Sequence, residues 1–277
     1  MIIVIQCKDQ VGLVAAITGV LAHQRLNIVS LREHVDRGEN RFFIRIDVVT
    51  QLPADAALLE QKLKDLLPPD ALITINPLPE KRIVVLVTKE YHCLSDILVR
   101  NHFETLSARV QCVIGNHDIL RDICARFDIP YHHVSHETVS KEDFERSVLN
   151  IIDTCNPDYI VLAKFMRILS PEFITRFPAR IINIHHSFLP AFAGANPYRQ
   201  AFGRGVKLIG ATAHFVTDQL DEGPIIAQQI IPVNHSFTAA DMIKAGKEIE
   251  TAVLAHALRL AFEDRVLVYK NKTVVFE

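Results

Sequence analysis

The chain has 277 residues, of which 49% are hydrophobic and 22% charged, a composition that excludes the disordered and fibrous classes. The 30 Lys and Arg against 32 Asp and Glu give a net charge of −2, which excludes the broad positive field of a protein that coats nucleic acid. The five cysteines are widely spaced without a C-x-x-C pair, so we predict neither a disulfide framework nor a zinc knuckle. We find neither an apolar run of roughly 18 residues nor a signal-peptide pattern, and we expect a cytoplasmic protein without membrane contact.

The first 75 or so residues have the pattern of a small sandwich of two helices on one antiparallel sheet. Periodicity predicts in turn a strand at 2–6, a helix at 11–24 capped by Asp9, strands at 27–35 and 43–49, a helix around 59–66 and a strand at 71–75. This βαββαβ order is that of a ferredoxin-like unit.

A change of pattern follows Asn76-Pro77-Leu78-Pro79-Glu80, where two prolines end regular pairing, so we place domains at 1–79 and 80–277. Short apolar runs then alternate with helical stretches, which predicts an α/β, Rossmann-like, mostly parallel sheet. The predicted strands are 83–87, 110–114, 159–162, 181–184, 212–216 and 225–232; the predicted helices are 94–101, 119–127, 144–155 and 238–262; a hairpin at 266–269 and 273–276 ends the chain.

Two segments carry polar side chains suited to chemistry. Asn183 and His185 are two residues apart at the carboxyl end of a predicted buried strand, so their side chains project to the same side, at the edge where open α/β sheets bind ligands. The alternative is that Asn183 caps the following turn and His185 is a hydrogen-bonded core residue. The second segment, 214–224, ends in Asp221-Glu222-Gly223-Pro224, and by itself this composition is more typical of a solvated turn. A lone histidine on an apolar strand, here His214, is likewise more typical of a structural residue.

Together these segments resemble the folate-dependent formyltransferase family. The matching blocks are FMRIL at 165–169, NIHHSFLPAFAG at 183–194 and HFVTDQLDEGPII at 214–226, in the same order and spacing. The resemblance implies that Asn183, His185 and Asp221 are catalytic and that two segments wrap the pterin ring of the folate. Those segments are Met166, Arg167, Ile168 and Leu169, and Val216, Thr217, Asp218, Gln219 and Leu220. It implies no metal and no cofactor, with 10-formyltetrahydrofolate as a substrate.

The N-terminal segment 7–36 is similar to an ACT domain, a regulatory module of the same βαββαβ order. The resemblance implies an amino-acid effector near Asp9, Gly12, Leu13 and Asn27, and a homo-oligomer, dimer or tetramer, that pairs through this domain. An ACT domain joined to this second domain implies hydrolysis of 10-formyltetrahydrofolate to tetrahydrofolate and formate. Such an activity supplies formate for purine synthesis and balances the one-carbon folate pool.

Two alternatives stay open, transfer of the formyl group to a small amine and a sensor that binds folate without turnover. Residues 88–94 contain no glycine and one carboxylate, where relatives that transfer to a phosphorylated amine carry a glycine-rich phosphate loop, so water is favoured as the acceptor. The residues present do not decide how His186 and Asn196, near the reaction centre, bear on that choice. Strand alternation predicts that His186 faces away from Asn183 and His185.

Overall fold

The computed structural model describes residues 1–49, 55–76, 80–191 and 197–277. The prolines of the predicted linker, Pro77 and Pro79, and the predicted site neighbour Asn196 lie outside the described residues. The chain divides into two compact units: Met1–Pro79 with Glu263–Tyr269 and Thr273–Glu277, and Glu80–Phe262 with Lys270–Lys272.

The first unit has the predicted βαββαβ order. Its elements are β1 (Ile2–Lys8), α1 (Leu13–His23), β2 (Asn27–Asp36), β3 (Arg41–Val49), α2 (Ala56–Lys64) and β4 (Leu72–Asn76). The antiparallel sheet has the order β2-β3-β1-β4. One sheet face and the apolar faces of both helices form a common core around Ile5, Ile17, Ile44 and Leu63.

The start of α1 differs from the prediction that Asp9 caps it. The helix begins at Leu13, and its N-cap position is Gly12, which has a φ of 93° and no side-chain cap. The backbone N–H of Asp9 instead donates to the carbonyl of Asn40, 3.0 Å away. Only glycine adopts such a φ at little cost, so Gly12 sets where the helix starts.

The second unit is an α/β domain with a mostly parallel sheet, as predicted, and the sheet has seven strands. Its strands are β5 (Lys81–Val87), β6 (Ala108–Gly115), β7 (Tyr131–His133), β8 (Tyr159–Ala163), β9 (Ile181–His185), β10 (Leu208–Phe215) and β11 (Ile225–Pro232). Its helices are α3 (His92–His102), α4 (Arg121–Ala125), α5 (Lys141–Cys155), α6 (Pro171–Thr175), α7 (Pro197–Arg204) and α8 (Ala239–Phe262). The strand order is β11-β10-β9-β8-β5-β6-β7. The strands β9, β8, β5, β6 and β7 are parallel to one another, and β10 pairs antiparallel with both β9 and β11.

Three of these elements were not predicted from the sequence, and two of them are very short. The strand β7 has three residues and α6 has five, too few to show a period. The start of α6 nevertheless carries a local signal, since Ser170 accepts a hydrogen bond from the N–H of Phe173 and Pro171 occupies the first turn. The third, α7, follows the segment that lies outside the described residues.

The C-terminal hairpin packs with the first unit, whereas the sequence division placed it in the second. It consists of β12 (Val266–Tyr269) and β13 (Lys272–Val275). Leu267 and Phe276 are buried against Phe43 of β3, and the guanidinium of Arg45 donates to the carbonyl of Glu263 over 2.9 and 3.1 Å. Sequence order could not reveal this packing, because the hairpin is far along the chain from β3.

No helix among the described residues is both long and apolar enough to cross a bilayer. The helix α8 is long because its apolar face covers the sheet; its buried residues include Ile249, Val253 and Ala257.

Candidate active site

The strand β9 places Asn183 and His185 in one cavity. The strand pairs with β8 on one side and β10 on the other, so its backbone is fixed by two ladders. The alternation of a strand then puts both side chains on the same side. His185 is 4% exposed, and Asn183 is half-buried.

The loop after β10 brings Asp221 to His185. The Asp221 Oδ1 atom lies 3.3 Å from the His185 Nδ1 atom. The loop returns tightly, because the N–H of Phe215 donates to the carbonyl of Pro224 over 2.9 Å and a Cβ atom on Gly223 would lie 1.8 Å from the carbonyl oxygen of Phe215. Asp221 itself has a left-handed φ of 57°, a conformation that non-glycine residues adopt at some cost and that is concentrated at functional sites.

His214 holds the amide of Asn183. The Nδ1 atom of His214 donates to the carbonyl of Phe215 over 2.9 Å, which leaves Nε2 to accept the Asn183 Nδ2–H over 3.3 Å. In that tautomer His214 Nε2 carries no proton for Asp221, which lies 3.8 Å away. The sequence predicted a structural role for His214, and its contact with Asn183 depends on the cross-strand pairing of positions 214 and 183, which only the structure shows.

The electrostatics of this cluster keep Asp221 ionised and His214 neutral. Burial by itself would raise the pKa of the Asp221 carboxyl, but the hydrogen bond from His185, and the charge that its imidazole carries when protonated, outweigh it and hold the pKa below its ordinary value. Burial lowers the pKa of His214 below its ordinary value, although the hydrogen bond to the Phe215 carbonyl acts to raise it. With Nδ1 of His185 turned to Asp221, its buried Nε2 has no partner in the described parts of the chain and is free to act on a ligand.

All twelve residues that the resemblance gives to catalysis and folate contact line one cavity of about 300 Å³, which we call the Asp221 cavity. It is formed by Asn183, His185, Asp221, the segments 166–169 and 216–220, and a few neighbours that include Lys164, Phe165, His186 and His214. Met166 and Ile168 are 58% and 63% exposed. Exposed apolar side chains beside a polar cluster suit a flat heteroaromatic ligand.

Strand alternation predicted that His186 faces away from Asn183 and His185, and this prediction is wrong. The side chain of His186 lies between His185 and Tyr198, with ring centroids 5.2 and 6.2 Å away, and lines the Asp221 cavity. The strand β9 ends at His185, so the period of two no longer applies at the next residue. Burial, reinforced by the charge of Lys164, lowers the pKa of His186 to about 4.

A second polar cluster, which the sequence reading did not identify, surrounds Glu250 of α8. The Oε2 atom of Glu250 lies 2.8 Å from His92 Nε2 and 3.1 Å from Lys164 Nζ, and Oε1 accepts the hydroxyl of Tyr198 over 2.8 Å. The available signal was a carboxylate on the apolar face of α8, next to Ile249.

The same cluster contains the set of possible metal ligands that the described residues bring together, His92, Cys93 and Glu250, whose ligand atoms lie within 4.8 Å of one another. A cation there would compete with the Lys164 ammonium for Glu250. Burial and the charge of Glu250 also raise the pKa of Cys93 well above its ordinary value, so its sulfur stays a thiol rather than the thiolate that metals bind. We therefore assign these residues to an ion-pair network.

In the first unit, the four residues predicted to hold an effector are placed differently. Gly12 and Asn27 are exposed, and Asp9 is half-buried. Leu13 is 3% exposed and packs in the core of the first unit, so its role is to anchor α1. Asp9 and Gly12 precede α1, whereas Asn27 follows its C-terminal end and pairs with Val49, at the opposite end of β3 from Arg41, the partner of Lys8. A ligand at the start of α1 would therefore meet Asp9 and Gly12.

Comparison with known families agrees with this geometry. Residues 81–258 match the formyl transferase family model, and residues 1–67 match the ACT domain model. The chain belongs to the formyl transferase family.

Particular relatives narrow this class. Formyltetrahydrofolate deformylase of Haemophilus influenzae is 50% identical over 99% of this chain and 98% of its own. The solved structure of a formyltetrahydrofolate deformylase from Pseudomonas syringae pv. tomato has a TM-score of 0.95 at 41% identity, over 100% of this chain and 94% of that one. Glycinamide ribonucleotide transformylase 1 of Symbiobacterium toebii matches 72% of this chain and 95% of its own, with a TM-score of 0.69 and 31% identity. Within the formyl transferases, the chain thus belongs to the formyltetrahydrofolate deformylases.

The pKa of His186 predicts a loss of stability in acid. The pKa is about 4 in the folded chain and 6.5 ordinarily, so the unfolded state binds more protons between these values and the free energy of unfolding falls as the pH drops from 6.5 to 4. In His186→Gln this loss should be absent, so its free energy of unfolding should fall less with decreasing pH. The difference from the wild type should reach about 3 kcal/mol at pH 4. Urea unfolding between pH 4 and 7 measures it, with the exposed His132→Gln as control. Equal slopes in the wild type and His186→Gln would contradict the assignment.

Proposed function

We propose that the chain hydrolyses 10-formyltetrahydrofolate to tetrahydrofolate and formate, with Asn183, His185 and Asp221 as its catalytic residues. The observation that carries the proposal is the unpartnered, buried Nε2 of His185, whose Nδ1 lies against an ionised carboxylate inside a cavity with an apolar rim. This is the arrangement of a general base held by an orienting acid group.

The roles follow from which atoms are free. Neutral His185 donates Nδ1–H to Asp221, so its Nε2 lone pair takes a proton from water as the water oxygen adds to the formyl carbon. The imidazolium that forms is stabilised by the Asp221 carboxylate. The electron pair of the formyl C=O moves to oxygen, and the second N–H of the Asn183 amide, which His214 leaves free, donates to that oxyanion.

Collapse of the tetrahedral adduct breaks the bond between the formyl carbon and N10. The electron pair goes to N10, and the proton held on His185 Nε2 passes to the same nitrogen. Formic acid then loses a proton to give formate. Asp221 thus acts by orienting His185 and supporting its charge, and Asn183 acts as a hydrogen-bond donor to the oxyanion.

No metal or cofactor enters this proposal, because the steps need only a proton carrier and a donor. The pterin ring would lie against the segments 166–169 and 216–220, whose side chains line the cavity. We further propose a cytoplasmic setting, supported by five cysteines that form no disulfide, and a supply of formate to purine synthesis.

The first unit suggests how the enzyme assembles and is regulated. We propose that two copies pair along β2, a ten-residue edge strand that exposes 59% of Val29, and that a free amino acid binds near Asp9 and Gly12 at that contact. An edge strand of this length has backbone groups available for pairing with a second copy.

The activity is tested by incubation with 10-formyltetrahydrofolate and no amine. We expect one formate per tetrahydrofolate, followed with a coupled formate assay. In His185→Ala, kcat should fall by roughly two orders of magnitude with a small change in KM, because the proton carrier and charge at that position are lost. Formate release that requires an added amine would make the chain a transferase instead, and wild-type turnover in His185→Ala would remove His185 from the chemistry.

Asp221→Asn tests the charge of the carboxylate at constant size. We expect a folded protein whose kcat is lower by about 100-fold or more, since the imidazolium loses its counter-charge. Asp122→Asn is the control, because Asp122 is exposed on α4 and does not line the Asp221 cavity, and its kcat should stay within a few-fold of wild type. Equal losses in the two variants would contradict a specific role for Asp221.

Assembly is tested by sedimentation of the full chain with and without each amino acid. We expect an oligomer that Val29→Glu on the β2 edge makes smaller and that Leu72→Glu, on the opposite edge strand, leaves intact; both positions expose a large apolar side chain. A wild-type monomer at all concentrations, or equal effects of both substitutions, would contradict pairing through β2.

A further inference from the structure

A second cavity, of about 380 Å³, adjoins the Asp221 cavity. It shares Lys164, Met166 and His186 with that cavity and is otherwise lined by side chains from β5, α3, α7 and α8 and the segments beside them. We call it the Lys164 cavity. Because His186 follows His185 directly, this second cavity begins next to the proposed reaction centre.

The topology of the sheet explains why a cavity forms here. From β5 the chain runs outward to β6 and β7, and it then returns to the other side of β5 to form β8 and β9. Such a reversal leaves a crevice at the carboxyl ends of the two strands that flank it, and this is where open α/β sheets bind ligands. Thr88 directly follows β5 and Lys164 directly follows β8, and both line the cavity.

The ammonium of Lys164 has N–H groups that no other described residue engages. Lys164 is 7% exposed, and of its three N–H groups one is taken by Glu250 Oε2, 3.1 Å away. Glu250 is also held by His92 and Tyr198, so its position is fixed. Burial opposes its ionisation, but the hydrogen bond from His92 and the charge of Lys164 lower its pKa to about 2, and the carboxylate stays charged.

His92 adds a second unused polar atom. Its Nε2 donates to Glu250, while its buried Nδ1 makes no hydrogen bond in the part of the chain that the structure describes and lies 3.8 Å from Glu90 Oε2. A buried polar atom without a partner costs free energy unless water or a ligand completes it. With Nε2–H donated to Glu250, Nδ1 is an acceptor that water would satisfy, and the donors for an anion are those of Lys164.

The backbone of Lys164 adopts a conformation that is costly for lysine, as is often seen at functional sites. Lys164 has a φ of 62°, in the left-handed region that glycine adopts without cost. A lysine there is disfavoured twice, by the backbone and by the burial of its charge.

The charges lining the cavity select the sign of a ligand. Four cationic side chains, Lys89, Lys164, Arg199 and Lys247, face two carboxylates, Glu90 and Glu250. Glu90 is already paired with Lys247 over 2.6 Å. The excess of two positive charges disfavours a protonated amine and favours a small anion.

We propose that the Lys164 cavity is a binding site for a small monocarboxylate and receives the formate released from the folate. This assignment rests on the proposed hydrolysis, in which the water oxygen adds to the formyl carbon, the C–N bond breaks, and the product leaves as an anion beside His186. Lys164 supplies the counter-charge, and the carboxylate oxygens accept hydrogen bonds from its two N–H groups that have no partner among the described residues.

The test measures binding directly, without turnover and without folate. Sodium formate is titrated into the full-length chain and followed by saturation-transfer NMR, with acetate as a larger carboxylate and methylammonium as a cation of similar size. We expect formate to bind with a dissociation constant of about 1 mM, near the best that three non-hydrogen atoms give, and methylammonium not to bind. In Lys164→Met, formate affinity should fall at least tenfold.

Two further variants keep the result interpretable. Lys164→Met leaves Glu250 without its lysine, so the double variant Lys164→Met with Glu250→Gln removes both charges together and is checked by thermal melting. Lys81→Met is the matched control, because Lys81 is also buried, at 9% exposure, but lines neither cavity. Both Lys164 variants should lose formate binding, and Lys81→Met should retain it.

The outcomes separate this site from the proposed function. No formate binding in the wild type, unchanged binding in folded Lys164 variants, or binding of methylammonium as tight as that of formate would overturn the site. Lys164-dependent formate binding in a chain that releases no formate from 10-formyltetrahydrofolate would support the site and overturn only the proposed hydrolysis.

Discussion

The contact between Asp221 and His185 is the constraint on which the rest of the candidate site depends. The two side chains come from different segments and meet over 3.3 Å, one on a central strand and the other on a returning loop. The loop reaches this position because Gly223 passes so close to Phe215 that no side chain fits, and because Asp221 accepts a left-handed backbone. Without that return, His185 would have no counter-charge and its tautomer would not be fixed.

The surroundings divide the polar groups into those that are held and those that are free. His214 is neutral and fixed by the Phe215 carbonyl, so it can only accept from Asn183 and thereby orient the amide. His186 is kept neutral by burial and by the charge of Lys164. The buried Nε2 of His185 is left without a partner, in the described chain, at the point where the apolar rim of the cavity would bring a substrate.

The two adjoining cavities suggest a division between substrate and product. The Asp221 cavity has exposed apolar side chains at its rim, whereas the Lys164 cavity is lined by charged groups with a positive excess. A neutral formyl group at their junction would be attacked from the polar side and release its anion there.

The sequence by itself determined the elements and the chemistry of the individual segments. The alternation of Asn183 and His185, the helical period of α1 and α8 and the βαββαβ order are local patterns, and local patterns follow from backbone geometry. The family blocks identified the twelve residues that the structure gathers in one cavity. Tertiary structure decided what depends on distant partners. The role of His214 follows from its pairing across β9 and β10, and the Glu250 network joins four elements or loops. The C-terminal hairpin packs on β3. The sequence could not show these contacts, because the spacing of the residues along the chain carries no signal of their proximity.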